Sequence, residues 1–188
     1  MNKCIIYLII IFPLSFSLIT ANTFAENISL NNKKETLASL APVIKHDAFK
    51  LVGEGTMRWF WFDIYQAKLF SPSGKYHPQQ WPISLELIYV RNISSKELIQ
   101  STADEWQRQS INYQEEWLTQ LNRIWPNVVP GDKLLLNVNE EGHSCFFYNN
   151  QYIGCIYDTV FSHAFTSIWL SENTLKPGLR NQLIGLKP

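Results

Sequence analysis

The chain has 188 residues, with 16 basic and 16 acidic side chains, a formal net charge of +0 and 46% hydrophobic residues. That balance offers no basic stripe for a phosphate backbone, so a nucleic-acid partner is not expected. Seven Trp, eight Tyr and eleven Phe imply instead a densely filled core, an apolar ligand cavity, or both.

Residues 1–25 read as an address. Asn2 and Lys3 precede a largely apolar run from Ile5 to Ile19, and Thr23-Phe24-Ala25 supplies small residues for a signal peptidase. The run is short for a membrane span, which needs about 20 apolar residues. Cleavage after Ala25 is therefore expected, leaving an exported, periplasmic or secreted chain with no stable membrane span. Residues 26–45 are polar and without period, a leader, and residues 46–188 are expected to form one domain.

Phe49 to Phe70 favours strand, being β-branched and aromatic, with Gly53 and Gly55 allowing a bulge or a close backbone approach. It is too long for one strand, so a bend is expected, with Trp59 to Phe62 the candidate. Arg58 sits inside this run. A guanidinium keeps its charge, so burial beside Trp59, Phe60, Trp61 and Phe62 demands an anionic partner. That partner is either a carboxylate of the chain, such as Asp63 or Glu86, or the head group of an apolar ligand.

Ser71-Pro72-Ser73-Gly74 is a turn, and Ile83 to Val90 alternates as a strand, with Leu85, Leu87 and Tyr89 on one side. Ser94 and Glu97 form a capping box for a helix carrying Ile99, Ala103 and Trp106. A second helix is expected from about Gln114 to Trp125, and Pro130-Gly131-Asp132 turns the chain into a strand at Lys133 to Asn139. Ser144 to Tyr157 is a hairpin about Asn149-Asn150, a pair that tolerates positive φ. Two-residue register sets Cys145 opposite Gly154, with the two sulfurs on opposite faces; a three-residue turn would join Cys145 to Cys155. Both readings stay open, because an exported location permits a disulfide. Asp158 caps a third helix with Phe161, Phe165, Ile168 and Trp169, and Pro177 opens a short last helix stopped by Gly185. The order means an α+β fold with an antiparallel sheet.

The segments Gly53-Glu-Gly55-Thr-Met-Arg58, Phe62-Asp-Ile-Tyr65 and Leu85-Glu-Leu-Ile-Tyr89-Val-Arg91 resemble bacterial chalcone isomerase-like proteins. So do Pro130-Gly131-Asp132, Phe146 to Gly154 and Phe161 to Leu170, and the resemblance runs from about Phe49 to Gly185. It implies an open-faced β-sandwich, a large antiparallel sheet with helices packed on one face and a ligand cleft between the layers. The superfamily holds plant flavonoid-cyclising isomerases and non-enzymatic fatty-acid-binding proteins. In both an arginine faces the cleft, and Arg58 matches it. Tyr65 falls where the plant enzymes carry a hydroxyl-bearing residue. Where they place a tyrosine and an asparagine near the first long helix, this chain has Leu98 and Glu105, which removes polar aid from cyclisation.

The functional expectation is a non-enzymatic binder of a small amphipathic ligand, most plausibly a fatty acid, with Arg58, Tyr65 and Tyr89 as ligand contacts. The rivals are an isomerase using Arg58 as electrophile and an interaction module of the cell envelope. No catalytic residue, cofactor or metal is expected, since His46, His77, His143 and His163 are scattered and no Cys/His cluster has ligand spacing.

Overall fold

A computed structural model describes residues 49–186 of the chain, which lie within one compact unit. The expected signal segment, leader and cleavage site fall outside the described residues. Six strands form one antiparallel sheet in the order β1-β2-β3-β4-β5-β6, each paired with its neighbour in sequence. They are β1 (Lys50–Trp59), β2 (Phe62–Ser71), β3 (Ile83–Tyr89), β4 (Lys133–Val138), β5 (Ser144–Tyr148) and β6 (Gln151–Ile156). Four helices accompany them among the described residues: α1 (Ser95–Arg108), α2 (Glu115–Ile124), α3 (Thr159–Leu170) and α4 (Pro177–Leu183).

The long aromatic run folds back as expected, at Phe60-Trp61, to make β1 and β2. Strands β2, β3 and β4 are then inner members of the sheet, which explains why Leu85, Leu87, Leu134 and Leu136 are all buried. Those leucines join Trp106, Trp117, Phe161 and Phe165 in the main core, so the helices pack on that face. A small second cluster of Leu135, Cys145 and Phe147 lies on alternate strand positions.

The caps follow the sequence closely. Ser94 accepts from the Glu97 amide while Glu97 accepts from the Ser94 amide, closing the capping box of α1. Asp158 accepts from the Val160 and Phe161 amides at the start of α3. Asp132 in the Pro-Gly-Asp turn accepts from the Val129 amide, the Tyr148 hydroxyl and the Asn149 side chain. Those bonds, Asn149 foremost, hold its carboxyl below the usual range and tie the entry of β4 to the β5–β6 turn.

The hairpin register differs from the expected one. Tyr148 does pair with Gln151 across the Asn149-Asn150 turn, but a bulge between Phe146 and Phe147 shifts the remainder. Cys145 consequently faces Cys155, and the two form a disulfide. The extra residue sits in the strand and not in the turn. Gly154 makes it possible: its φ is +152°, and a Cβ there would lie 2.8 Å from Ile124 Cγ1.

Candidate ligand-binding site

A cavity of about 550 Å³ lies between the helix-bearing face of the sheet and helices α1, α3 and α4. Its floor is built by alternation. Leu85, Leu87 and Tyr89 on β3, with Leu134 and Leu136 on β4, project to the same side. Phe165, Ile168 and Trp169 of α3 form the opposite wall, with Leu98 and Thr102 of α1 beside them. The exposed members, Trp59, Arg108 and Leu175 among them, put the mouth between the end of β1 and the loop joining α3 to α4.

Two of the three expected contacts meet here. Tyr65 and Tyr89 pair across β2 and β3, and their rings stand 5.7 Å apart, edge to face. The Tyr65 hydroxyl accepts a hydrogen bond from Trp169 Nε1 at 2.8 Å, which leaves its own proton to donate. Tyr65 keeps some accessible surface, as a cavity-lining residue does, yet protein surrounds it deeply. Burial, reinforced by the Glu105 charge and only partly offset by the Trp169 bond, pushes its pKa up to about 12. Burial, and then the neighbouring Tyr65, raise Tyr89 further still. Both phenols are neutral donors at any physiological pH.

This has a measurable consequence. The folded chain keeps the Tyr65 proton above the ordinary value of 10.0 to about 12, whereas the unfolded chain releases it near 10.0. The folded state then binds more protons, so the stabilisation is complete below pH 10 and is lost as pH rises towards about 12. The expected slope is about 1.4 kcal/mol per pH unit for one such group. Denaturant melts across that window, with Tyr65→Phe as the comparison, should show the variant losing less stability than the wild type.

Arg58 departs from the expectation of a buried, cavity-facing cation. It is not buried and does not line the cavity; its side chain is 67% exposed and its Nε donates to Asp63 Oδ1 at 2.7 Å. Strand alternation is the reason, because Met57 and Trp59 both turn towards the cavity and Arg58 between them turns away. The internal carboxylate offered by the sequence, Asp63, is the one it meets. Of the tryptophans, Trp59 forms part of the cavity lining, Trp61 is exposed and Trp106 lies in the core. His163 packs against Trp81 at a tilt, with ring centroids 5.0 Å apart, and is not part of the cavity wall.

Several lining residues carried no signal in the sequence. Arg108 donates through Nε and Nη2 to the two Glu105 oxygens at 2.8 and 2.7 Å, and Nη2 also donates to the Asn173 carbonyl. Glu105 accepts further bonds from Gln109 and from the Leu175 amide. Burial works against its charge, but these donors outweigh it and keep its carboxyl below the usual range. The pair thus staples the loop after α3 to α1 at the rim of the cavity. Lys176 lines the same rim, and its Nζ lies 4.8 Å from the Trp59 ring centroid, with no carboxylate in salt-bridge range among the described residues. Leu98 and Glu105, the two departures from the isomerase pattern, both face the cavity.

An antiparallel sheet with helices on one face and an apolar hollow between them define an α+β domain of the chalcone isomerase-like fold. The family profile described as chalcone isomerase-like matches residues 25–185, and the chain belongs to that family. A Haemophilus influenzae protein, itself uncharacterized, is 27% identical over 137 residues, covering 71% of this chain and 67% of that one. The crystal structure of an Arabidopsis thaliana fatty-acid binding protein superposes with a TM-score of 0.59 at 10% identity. The match covers 74% of this chain and 88% of the plant one. Among the described residues no helix is long and apolar enough to cross a membrane, and no group of three or more His, Cys, Asp or Glu is placed to hold a metal ion.

Proposed function

We propose that this protein binds a fatty acid or a similar single-chain amphipath, with the chain in the cavity and the carboxylate at its polar groups. The carrying observation is the cavity itself: about 550 Å³, within the span of small-molecule sites, walled by leucines and aromatic rings and provided with two neutral phenol donors. Ten buried methylenes at about 0.8 kcal/mol each supply most of the affinity. Tyr65 and Tyr89 orient the head group, and the rim cation Lys176 favours an anion over a neutral alcohol, Arg108 being paired with Glu105. Arg58 has no part in head-group binding, since Asp63 neutralises it and it lies outside the cavity lining. The likeness to a plant fatty-acid binding protein supports the reading at the level of fold.

The isomerase alternative has less support. At the two positions where the isomerases carry polar aid to cyclisation, Leu98 is apolar and Glu105 is engaged by Arg108, Gln109 and Leu175. Export with cleavage after Ala25 remains part of the proposal.

Displacement of a dansyl-labelled fatty acid by dodecanoate tests the reading. Wild type should exchange the probe, and Leu136→Trp, which fills the floor, should abolish binding while circular dichroism shows a folded chain. Tyr65→Phe should weaken dodecanoate about tenfold, the effect of one hydrogen bond to a charged group. Undiminished binding by Leu136→Trp, or no exchange in wild type, would overturn it.

A further inference from the structure

Two two-residue hairpin tips occur among the described residues, and they differ in chemistry. At the β5–β6 tip Asn149 and Asn150 take φ of 48° and 69°, the residues such turns favour. At the β1–β2 tip the left-handed position, φ 53°, is occupied by Phe60, for which that conformation is unfavourable. Phe60 and Trp61 are also 73% and 84% exposed, and Trp59 and Phe62 beside them 47% and 56%. Neither folding nor core packing calls for four adjacent aromatic rings in water at a turn that prefers asparagine or glycine. A contiguous apolar knob of this kind marks a docking surface.

The surroundings indicate what it docks on. Arg91 places its guanidinium 4.5 Å from the Phe62 ring centroid, Lys176 lies over Trp59, and Arg58 extends from the same tip with its side chain exposed. Asp63 neutralises Arg58 and Arg108 neutralises Glu105, which leaves Arg91 and Lys176 as the cations at the tip with no carboxylate in salt-bridge range among the described residues. Aromatic rings ringed by basic side chains match the two layers of an anionic lipid surface, acyl boundary within and phosphates without. Trp59 and Lys176 belong at once to this knob and to the cavity rim, so a seated knob brings the open end of the cavity to the lipid.

We propose that the β1–β2 tip, Trp59 to Phe62, is a membrane-docking element that seats the cavity mouth on an anionic bilayer surface. Its use in ligand exchange rests on the fatty-acid reading above; the docking itself does not. Phe60 and Trp61 stand outside the cavity lining, so the tip can be altered without touching the binding wall.

The test floats the full chain with vesicles of phosphatidylethanolamine and phosphatidylglycerol, comparing wild type with the double variant Phe60→Ser, Trp61→Ser. Any contribution from the apolar run at Ile5 to Ile19 is common to both chains and cancels. The variant should lose tenfold or more in vesicle partitioning while its melting curve and its dodecanoate displacement stay unchanged. Wild-type tryptophan emission should be quenched by bromo-acyl phospholipid, and the salt dependence of binding should weaken in Arg91→Gln. Equal partitioning of the two chains would overturn the proposal. So would a tip that instead drives self-association, seen as a concentration-dependent mass that the variant abolishes with vesicle binding intact. Loss of dodecanoate binding in wild type would remove the fatty-acid reading and leave the docking result standing.

Discussion

Replacing Trp106 by alanine is expected to cost about 4–5 kcal/mol of folding stability, near the top of the range for a buried aromatic. Trp106 has no exposed surface, and its ring meets Tyr113, Trp117, Phe161 and Phe165 at centroid distances of 5.3 to 6.4 Å. Its Nε1 donates to the Ala164 carbonyl at 2.7 Å, so one side chain of α1 is bonded directly to α3. A domain of this size has a total stability of about 5–15 kcal/mol, and the variant would be near the edge of folding. Trp106→Phe retains most of the packing and loses the hydrogen bond, for an expected cost of about 1–2 kcal/mol. Urea midpoints at unchanged slope measure both. The effect is large because the helical layer is hollow on one side. Where the cavity separates α1 and α3 from the sheet, leucines and tyrosines face empty space. The aromatic cluster at Trp106 is therefore the direct link between α1 and α3, while the sheet reaches α3 through Phe146, Ser144 and Tyr65. A cost under about 1 kcal/mol for Trp106→Ala would show that the layer is pinned elsewhere.

Local signals carried most of the fold. The capping residues Ser94, Glu97 and Asp158 announced two helix starts because an N-cap is chemistry between residues two or three apart, and all three make those bonds. Asn149-Asn150 announced a turn for the same reason. The bulge that leaves Ile153 unpaired beside Gly154 was not legible as a register shift, because the space that demands a glycine there is set by Ile124 of α2, a contact between distant parts of the chain. That one-residue shift brought Cys145 opposite Cys155. Counting back from the turn put the two sulfurs on opposite faces, and the bulge restored them to one.

The site was legible in its walls and not in its charges. Strand alternation placed Leu85, Leu87 and Tyr89 on one face, and all three line the cavity. The same rule, applied from Met57 and Trp59, would have turned Arg58 outward. The expectation followed instead from the cost of burying a guanidinium among aromatic rings, and those rings prove to be in solvent. Trp169 bonds to Tyr65 across 104 residues of sequence, and Lys176 reaches the rim on a loop without any motif. Neither has a local pattern, so only the folded chain discloses them.

Gly53→Ala is expected to be the most damaging conservative change in the sheet, at about 3 kcal/mol, at the upper end of overpacking costs. A Cβ at Gly53 would lie 2.0 Å from the Gln182 carbonyl oxygen and 2.7 Å from that of Leu183. Both are backbone atoms of α4, which packs on β1, so no rotamer change relieves the clash and the strand or the helix must move. Gly55 offers the contrast. A Cβ there meets the Gln182 side-chain oxygen at 2.2 Å and Leu179 Cδ1 at 2.8 Å, both at the ends of flexible side chains, and the expected cost is about 1 kcal/mol. Differential denaturation should rank the two variants in that order. The functional readout should follow the same ranking, because α4 carries Leu179 into the cavity wall. Displacing α4 from β1 shifts that wall, so Gly53→Ala should also weaken dodecanoate in the displacement assay, while Gly55→Ala, which meets only the end of the Leu179 side chain in that wall, should weaken it less. Equal stability losses at the two glycines would mean that α4 is free to slide along β1, and the cavity wall it supplies would then be adjustable and not fixed by backbone contact.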